Sequence, residues 1–461
     1  MSLPRYPEYR DSGVEWLGEV PAHWEVSTLR RVTVDKCDGP FGSGIKSEHY
    51  TDEGVLVVRL QNIRAGRFHY GEPVFLSQSY FESELRGHEV LPGDVLVAGL
   101  GDENNLLGRA CVAPLGLGDA LVKADCFRFR LEPYRVLSSF VAMQLSASAQ
   151  SDAGMLASGT TRSRIPLSTM QTRRLALPPL EEQTAIASFL DREIAKIDAL
   201  VAEQEKLQTL LVEKRQATIS HAVTKGLNPY APMRDSGVEW VGDVPAHWEI
   251  SRLKFVASVQ TGVAKGKDYT GKNTTEVAYL RVANVQDGYL ALDDIATIVI
   301  PVEDLARYRL QPGDVLMNEG GDFDKLGRGH VWNGEIENCI HQNHVFAVRP
   351  RQVSSAWVNK ITSSDYAQFY FMTRSKQSTN LASISSTNVM ELPLLLPPEA
   401  EQEAILMFVD AETVRLDALT AEATRAIALL KERRSVLISA AVTGKIDVRY
   451  EAAQPIVPRC L

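Results

Sequence analysis

Cysteine is scarce in this chain. Its five residues among 461 (Cys37, Cys111, Cys126, Cys339, Cys460) show no paired spacing, so a disulfide framework is excluded, and a chain of this length buries a core without one. No apolar run approaches the roughly 20 residues that a membrane span requires. The opening residues lack the charged, apolar and small succession of a secretory leader. A soluble protein of a reducing cytoplasm is the expectation. Basic excess is missing too: the net charge is −9, which at first argues against a polyanion as partner. Residues 1–180 carry 19 basic and 21 acidic groups, and residues 226–398 carry 16 and 19, so neither stretch is basic as a whole. Two local stretches depart from this balance. Between Ala153 and Leu180, Arg162, Arg164, Arg173 and Arg174 occur with no acid; between Tyr366 and Met390, Arg374 and Lys376 do the same.

What the chain does contain, it contains twice. Arg10 to Val32 reads RDSGVEWLGEVPAHWEVSTLRRV and Arg234 to Val256 reads RDSGVEWVGDVPAHWEISRLKFV, with 17 of 23 positions identical. A repeat this long is a whole domain with its attached element, not a solenoid period. The register continues through Arg59 and Arg281, Asn62 and Asn284, Pro92-Gly93-Asp94 and Pro312-Gly313-Asp314, and Leu107-Gly108-Arg109 and Leu326-Gly327-Arg328. Near the later strands it aligns His344 with Cys126. Strands are expected at residues 54–60 and 94–97, and at 277–282 and 314–317, where β-branched residues are bounded by Gly or Pro. Between the anchors the halves diverge almost completely, as they do when one scaffold carries two different binding surfaces.

Two stretches lack Pro and Gly altogether. One follows Leu177-Pro178-Pro179-Leu180-Glu181-Glu182-Gln183 and runs to Thr224; the other follows Leu396-Pro397-Pro398-Glu399 and runs to Thr443. A Pro pair followed by acids suits a helix start, and Gly226 and Gly444 sit where stops belong. Roughly 44 residues at 1.5 Å each make rods of about 65 Å. Leu190, Ile197, Gln204, Leu211 and Thr218 recur at seven-residue steps, with Leu200 and Leu207 as a companion row. Val409, Leu416, Ala423, Leu430 and Leu437 do so in the second helix, with Leu419 beside them. Such seams ask for a partner, and the preferred reading pairs the helices with each other, either parallel or antiparallel. The boundaries that follow are 1–178 and 226–397 for two similar domains, 179–225 and 398–445 for the helices, and 446–461 for a tail.

Catalytic chemistry finds no support. Gly266-Lys267-Asp268-Tyr269-Thr270-Gly271-Lys272-Asn273 approaches a nucleotide-binding loop, but Asn273 stands where a magnesium-binding hydroxyl belongs and a strand-like segment follows. Cys339, His341, His344 and His330 match no paired zinc spacing. Gly101-Asp102-Glu103 and Gly321-Asp322-Phe323-Asp324-Lys325 could suggest carboxylates holding magnesium, yet the shared element reads as a turn between strands. There is no Gly-rich methyl-donor fingerprint after a strand. What remains is recognition: Arg and Lys read guanine, Asn and Gln read adenine, and cations hold phosphates. The divergent loops supply Lys46, Arg59, Gln61, Asn62, Arg64 and Arg67 in the first half, and Lys265, Lys267, Lys272, Asn273, Arg281, Asn284 and Gln286 in the second.

Two variable units, each ending in Leu-Pro-Pro, acids and Gln and then a long helix, resemble the specificity subunit of type I restriction-modification systems. The residues that carry the resemblance are 177–186 with Phe189-Leu190-Asp191, 396–405 with Phe408-Val409-Asp410, Trp24-Glu25, Trp248-Glu249 and Asn343-His344-Val345-Phe346. The resemblance implies an α+β chain of two α/β target recognition domains joined by two long antiparallel coiled-coil helices, with approximate two-fold internal symmetry. It implies a non-catalytic subunit that reads a bipartite, asymmetric double-stranded DNA target, one half-site per domain. Its partners would be two methyltransferase subunits and the endonuclease subunits, which would bind S-adenosylmethionine, ATP and magnesium in its place. Arg162, Arg164, Arg173 and Arg174, beside the helices, would then hold phosphates between the half-sites with salt-sensitive affinity, and Arg374 and Lys376 of the equivalent stretch would also contact DNA. A coiled-coil scaffold without sequence-selective DNA binding is the rival, and a self-sufficient nuclease or methylase a second.

Overall fold

The computed structural model describes residues 3–41, 44–102, 105–149, 163–321, 323, 326–377 and 382–450. By packing, the chain divides into two units: Met1–Gln204 with Arg425–Leu461, and Glu205–Thr424. Both are α+β and they share one plan, as the duplication requires.

In unit 1 the near-identical repeat forms a hairpin, Tyr9–Asp11 against Glu19–Pro21, and then the strand Glu25–Thr28, which pairs antiparallel with Arg174–Leu177 just before the long helix. Unit 2 repeats this with Met233–Asp235 against Asp243–Pro245, and Glu249–Arg252 against Pro393–Leu396. Trp24 and Trp248 are fully buried, edge-on to Phe140 and Trp357 respectively, each at 6.3 Å. The most repeated sequence is therefore frame: it locks each domain onto the root of its helix.

The central sheets match strand for strand. Unit 1 orders Ala110–Val112, Val95–Ala98, Cys126–Leu131 and Thr33–Cys37; unit 2 orders Gly329–Val331, Val315–Asn318, Val345–Pro350 and Ala257–Thr261, all antiparallel. A second sheet carries a parallel pair in both, Val55–Val58 with Ala120–Val122 and Thr274–Leu280 with Ile340–His341. The four strands expected from the sequence are present. The shared Pro-Gly-Asp explains itself: buried Asp94 takes two hydrogen bonds from Arg130 at 3.0 Å, and Asp314 takes two from Arg349 at 2.7 Å.

The two long helices run Leu180–Lys225 and Glu399–Val442. At each start the Gln of the motif folds back: the Gln183 amide donates to the Pro178 carbonyl at 2.9 Å, and that of Gln402 to the Pro397 carbonyl at 2.8 Å. Each stop is a left-handed glycine, Gly226 and Gly444, both at φ 73°. The helices are antiparallel within each unit. In unit 2, Gln208 donates to Thr424 at 2.7 Å and Arg215 faces Asp417 at 3.5 Å, so a step forward on one helix is an equal step back on the other. In unit 1, Arg434 faces Asp198 at 3.5 Å, and Ile186 and Leu190 share a core with Ala441 and Val442.

The principal seam lies where its spacing put it: Leu190, Ile197, Leu211, Val409, Leu416 and Ala423 are buried. The companion row does not. Leu200, Leu207 and Leu419 are exposed, and the row that turns inward lies four residues after the seam instead: Ile194, Val201, Gln208 and Arg215 on one helix, Thr413, Thr420, Ile427 and Arg434 on the other. Beyond the second helix, Val448 is buried in the unit 1 core and the Asp447 amide donates to the Pro4 carbonyl at 2.8 Å. Among the described residues no helix is long and apolar enough to cross a membrane.

Candidate nucleic-acid interface

The two acid-free stretches lead to the same place in their units. In unit 1 the strand Ser163–Arg164 pairs with Leu100–Gly101 at the end of the central sheet. In unit 2, Lys376–Gln377 pairs with Ala382–Ser383, which pairs in turn with Gly320–Gly321. The backbone bonds beside these strands fix the equivalence. Gly99 donates to the Asp125 carbonyl at 2.8 Å and receives Ile165 at 3.0 Å; Glu319 donates to the His344 carbonyl at 2.9 Å and receives Ile384 at 2.9 Å. Glu319 thus stands in the place of Gly99, and His344 in that of Asp125. The alignment of His344 with Cys126 is corrected by one residue, because Cys126 pairs with Ala98 as Val345 pairs with Asn318.

The side chains on this edge differ in chemical sense. In unit 1, Arg164, half-exposed, donates through Nε to Asp125 at 2.7 Å, and its guanidinium lies 5.1 Å from the exposed Phe41 ring. In unit 2, His344 Nδ1 donates to Glu319 at 2.7 Å, and Asn343 Nδ2 lies 3.3 Å from His344 Nε2. Asp125 holds a left-handed φ of 64° and its amide donates to Asp38 at 3.0 Å, which fixes the turn beneath Arg164. Burial pushes the Asp38 carboxyl up to about 6.

The other residues selected from sequence divide by burial. Asn62 and Asn284 are buried and structural: each side-chain oxygen receives the amide three residues earlier, Arg59 at 2.7 Å and Arg281 at 2.8 Å, while the side-chain nitrogen donates to carbonyls beyond the turn. Facing a base would break these bonds, so the expectation that they read adenine is withdrawn. Arg59 and Arg281 are half-buried, bound to the Glu72 carbonyl at 2.7 Å and to Asp294 at 2.8 Å. Arg59 also lines an open cleft of about 540 Å³ with Tyr50 and Lys123. Gln61 and Arg64 are exposed beside a second cleft of about 240 Å³, Arg64 donating to Asn105 at 2.6 Å. Gln286 is half-buried and donates to the Ala283 carbonyl at 2.7 Å.

Arg173 is the clearest correction. It is 1% exposed and donates to the carbonyls of Gly108 at 3.0 Å and Leu145 at 2.8 Å and to the Ser148 hydroxyl at 2.6 Å. It ties three segments together and cannot hold a phosphate. Its neighbour Arg174 is exposed, and Arg162 lies outside the described residues. Lys46, Arg67, Lys265, Lys267, Lys272, Asn273, Arg374 and Lys376 are all exposed. Lys272 faces Glu303 at 3.3 Å, while Lys265 and Arg374 lie over the Tyr279 and Tyr370 rings. The segment after Asn273 is a strand, as expected.

Sequence reasoning passed over Phe41, Asp125 and Glu319. Glu319 was within reach, since the Pro-Gly-Asp register aligns it with Gly99 and so places a charge in one half only. Among the described residues no group of three or more His, Cys, Asp or Glu could hold a metal ion. His341 is buried, with Nδ1 on the Val345 carbonyl at 2.7 Å. Glu103, Asp322, Asp324 and Lys325 lie outside the described residues.

A family model described as the type I restriction modification DNA specificity domain matches residues 65–209. The chain is 23% identical over 451 residues to the type I restriction enzyme EcoKI specificity subunit of Escherichia coli K12, covering 95% of this chain and 92% of that one. It is 22% identical over 442 residues to the StySPI specificity subunit of Salmonella potsdam, with the same coverage of 95% and 92%. Its fold is similar to that of the HsdS subunit from Thermoanaerobacter tengcongensis, with a TM-score of 0.52 and 17% identity over 92% of this chain and 98% of that one. A chain from a structure on complex assembly and conformational transition of the type I R-M system gives a TM-score of 0.59 and 18% identity, with coverage of 92% and 98%.

Proposed function

From a chain related along nearly its whole length to the specificity subunits of type I restriction-modification systems, we propose a subunit that reads a bipartite, asymmetric double-stranded DNA target and directs its partners to it. Each unit takes one half-site. Two methyltransferase subunits bind S-adenosylmethionine and methylate adenine, endonuclease subunits use ATP with magnesium, and this chain supplies no catalytic group. It works in the cytoplasm, where the DNA is.

One observation carries this reading: a duplicated frame presents different side chains at one equivalent edge, Arg164 on Asp125 in unit 1 and His344 on Glu319 in unit 2. A frame that keeps its packing and changes only what it displays suits a pair of readers with different targets. The exposed row of the helices suits protein partners, for Leu200, Leu207, Leu210 and Val212 leave apolar surface in water, as do Met407, Val414 and Val436.

The test is the adenine methylome of the source cell with the gene intact and deleted. Loss of a gapped, asymmetric methylated motif on deletion is expected. An unchanged methylome with the methyltransferase expressed would favour the scaffold reading, in which the helices organise other proteins and the edge residues contact no base.

A further inference from the structure

The edge that differs between the units has a definite hydrogen-bonding sense in each, and we infer that it sets the base class each unit reads: guanine for unit 1 through Arg164, and an exocyclic amine, adenine N6 or cytosine N4, for unit 2 through Glu319. This rests on the DNA-reading role proposed above and names the side chains that perform it.

In unit 1 the edge is a donor. Asp125 takes the Nε hydrogen of Arg164 at 2.7 Å, and the Phe41 ring lies 5.1 Å from the guanidinium carbon. These contacts fix the plane of the fork. The two terminal nitrogens have no partner among the described residues and half of the side chain meets solvent. Two parallel N–H groups on a fixed plane match the O6 and N7 acceptors of guanine in the major groove. A phosphate contact needs no such buttress, since a flexible cation serves as well.

In unit 2 the edge is an acceptor. Ser383 occupies the position of Arg164, so the fork is gone. Glu319 occupies the position of Gly99 and orients His344, which donates Nδ1–H to one carboxylate oxygen at 2.7 Å. The imidazole Nε2 is then an acceptor facing the Asn343 amide at 3.3 Å. The second carboxylate oxygen of Glu319 has no partner among the described residues, and it can receive an amine hydrogen from cytosine or adenine.

The two arrangements are not interchangeable by surface drift. A Cβ on Gly99 would lie 2.4 Å from the Phe127 ring, so unit 1 cannot carry the acid that unit 2 carries without repacking its core.

The experiment uses the assembled system in cells, with the methylated motif read genome-wide for Arg164→Ala, Arg164→Lys, Glu319→Gln and the unaltered chain. Both Arg164 variants should relax one guanine position in one half of the motif, and Glu319→Gln should relax one adenine or cytosine position in the other half. Loss of a bidentate contact should narrow discrimination at that position by roughly 5- to 150-fold. The lysine and glutamine variants keep charge or shape, so they decide the matter if Arg164→Ala fails to fold. An unchanged motif in all variants would overturn the inference. So would a uniform fall in methylation with no change of sequence, which marks a phosphate contact, or relaxation in the same half by both residues. If gene deletion leaves the methylome intact with the methyltransferase expressed, it is the proposed function that fails, not the assignment of these residues.

Discussion

Tyr6 donates its hydroxyl hydrogen to Glu182 at 2.6 Å, and the same buried carboxylate takes Trp24 Nε1 at 2.9 Å and His23 Nε2 at 2.9 Å. The repeat breaks here. In unit 2, Glu401 receives His247 at 2.7 Å, but Tyr230, the sequence mate of Tyr6, is 91% exposed and the buried Trp248 indole N–H has no partner among the described residues. The first helix is therefore anchored by a satisfied carboxylate and the second by an exposed pair. Glu182→Ala strands two buried donors and should cost on the order of 3 kcal/mol, while Glu401→Ala should cost less than about 1 kcal/mol, as exposed pairs do. Denaturant titration of the two variants measures the difference; equal losses would contradict the asymmetry.

Arg173 and Arg174 are adjacent in sequence and opposite in role. Arg173→Ala leaves three carbonyl or hydroxyl partners without their donor and should lower stability by about 2–3 kcal/mol. Arg174→Ala, at an exposed strand residue, should leave stability within about 0.5 kcal/mol. If Arg174 holds a phosphate, the slope of log affinity against log salt for the assembled complex should fall by about 1. Thermal melting and salt-dependent binding separate the two effects.

The frame was legible because its chemistry is local. Pro-free and Gly-free runs, the Pro pairs followed by acids at their starts and the glycines at their stops all declare themselves within a few residues, whereas the fold-back of Gln183 and Gln402 onto the Pro178 and Pro397 carbonyls shows only in the structure. The companion row of the helices was not, since hydrophobicity favours Leu200 and Leu207 while the antiparallel partner turns Val201, Gln208 and Arg215 inward. At the candidate site, selection by residue type drew in Asn62 and Asn284, whose identity in both halves reflects a turn that both halves need. Arg173 had no such mark: its counterpart in the repeat is Leu392, and only the packing shows that it is enclosed.

The two helix rows predict opposite phenotypes. Ile197→Ala removes a buried side chain and should destabilise by about 2–4 kcal/mol with no change of partner surface. Leu207→Lys, at a side chain 41% exposed, should leave the melting temperature nearly unchanged. It should weaken methyltransferase association about tenfold if the exposed row is the docking face. Titration calorimetry with the purified partner checks the second arm; undiminished association would move the docking face elsewhere.

Asp38 gives the chain a pH dependence of unusual sign. Its carboxyl sits at about 6 in the folded protein against an ordinary value of 3.8, chiefly through burial. Between those values the folded state holds the proton and the unfolded state does not, so stability falls as pH rises from about 4 to 6 and stays reduced above. The cost at neutral pH is on the order of 2 kcal/mol after allowing for partial exposure. Asp38→Asn keeps the side-chain oxygen that receives the Gly39 and Asp125 amides and removes the charge. The variant should therefore be more stable than the unaltered chain at pH 8 by that amount and no more stable at pH 4, in paired urea titrations. A variant less stable than the unaltered chain at pH 8 alone would mean that the charge itself supports the turn beneath Arg164.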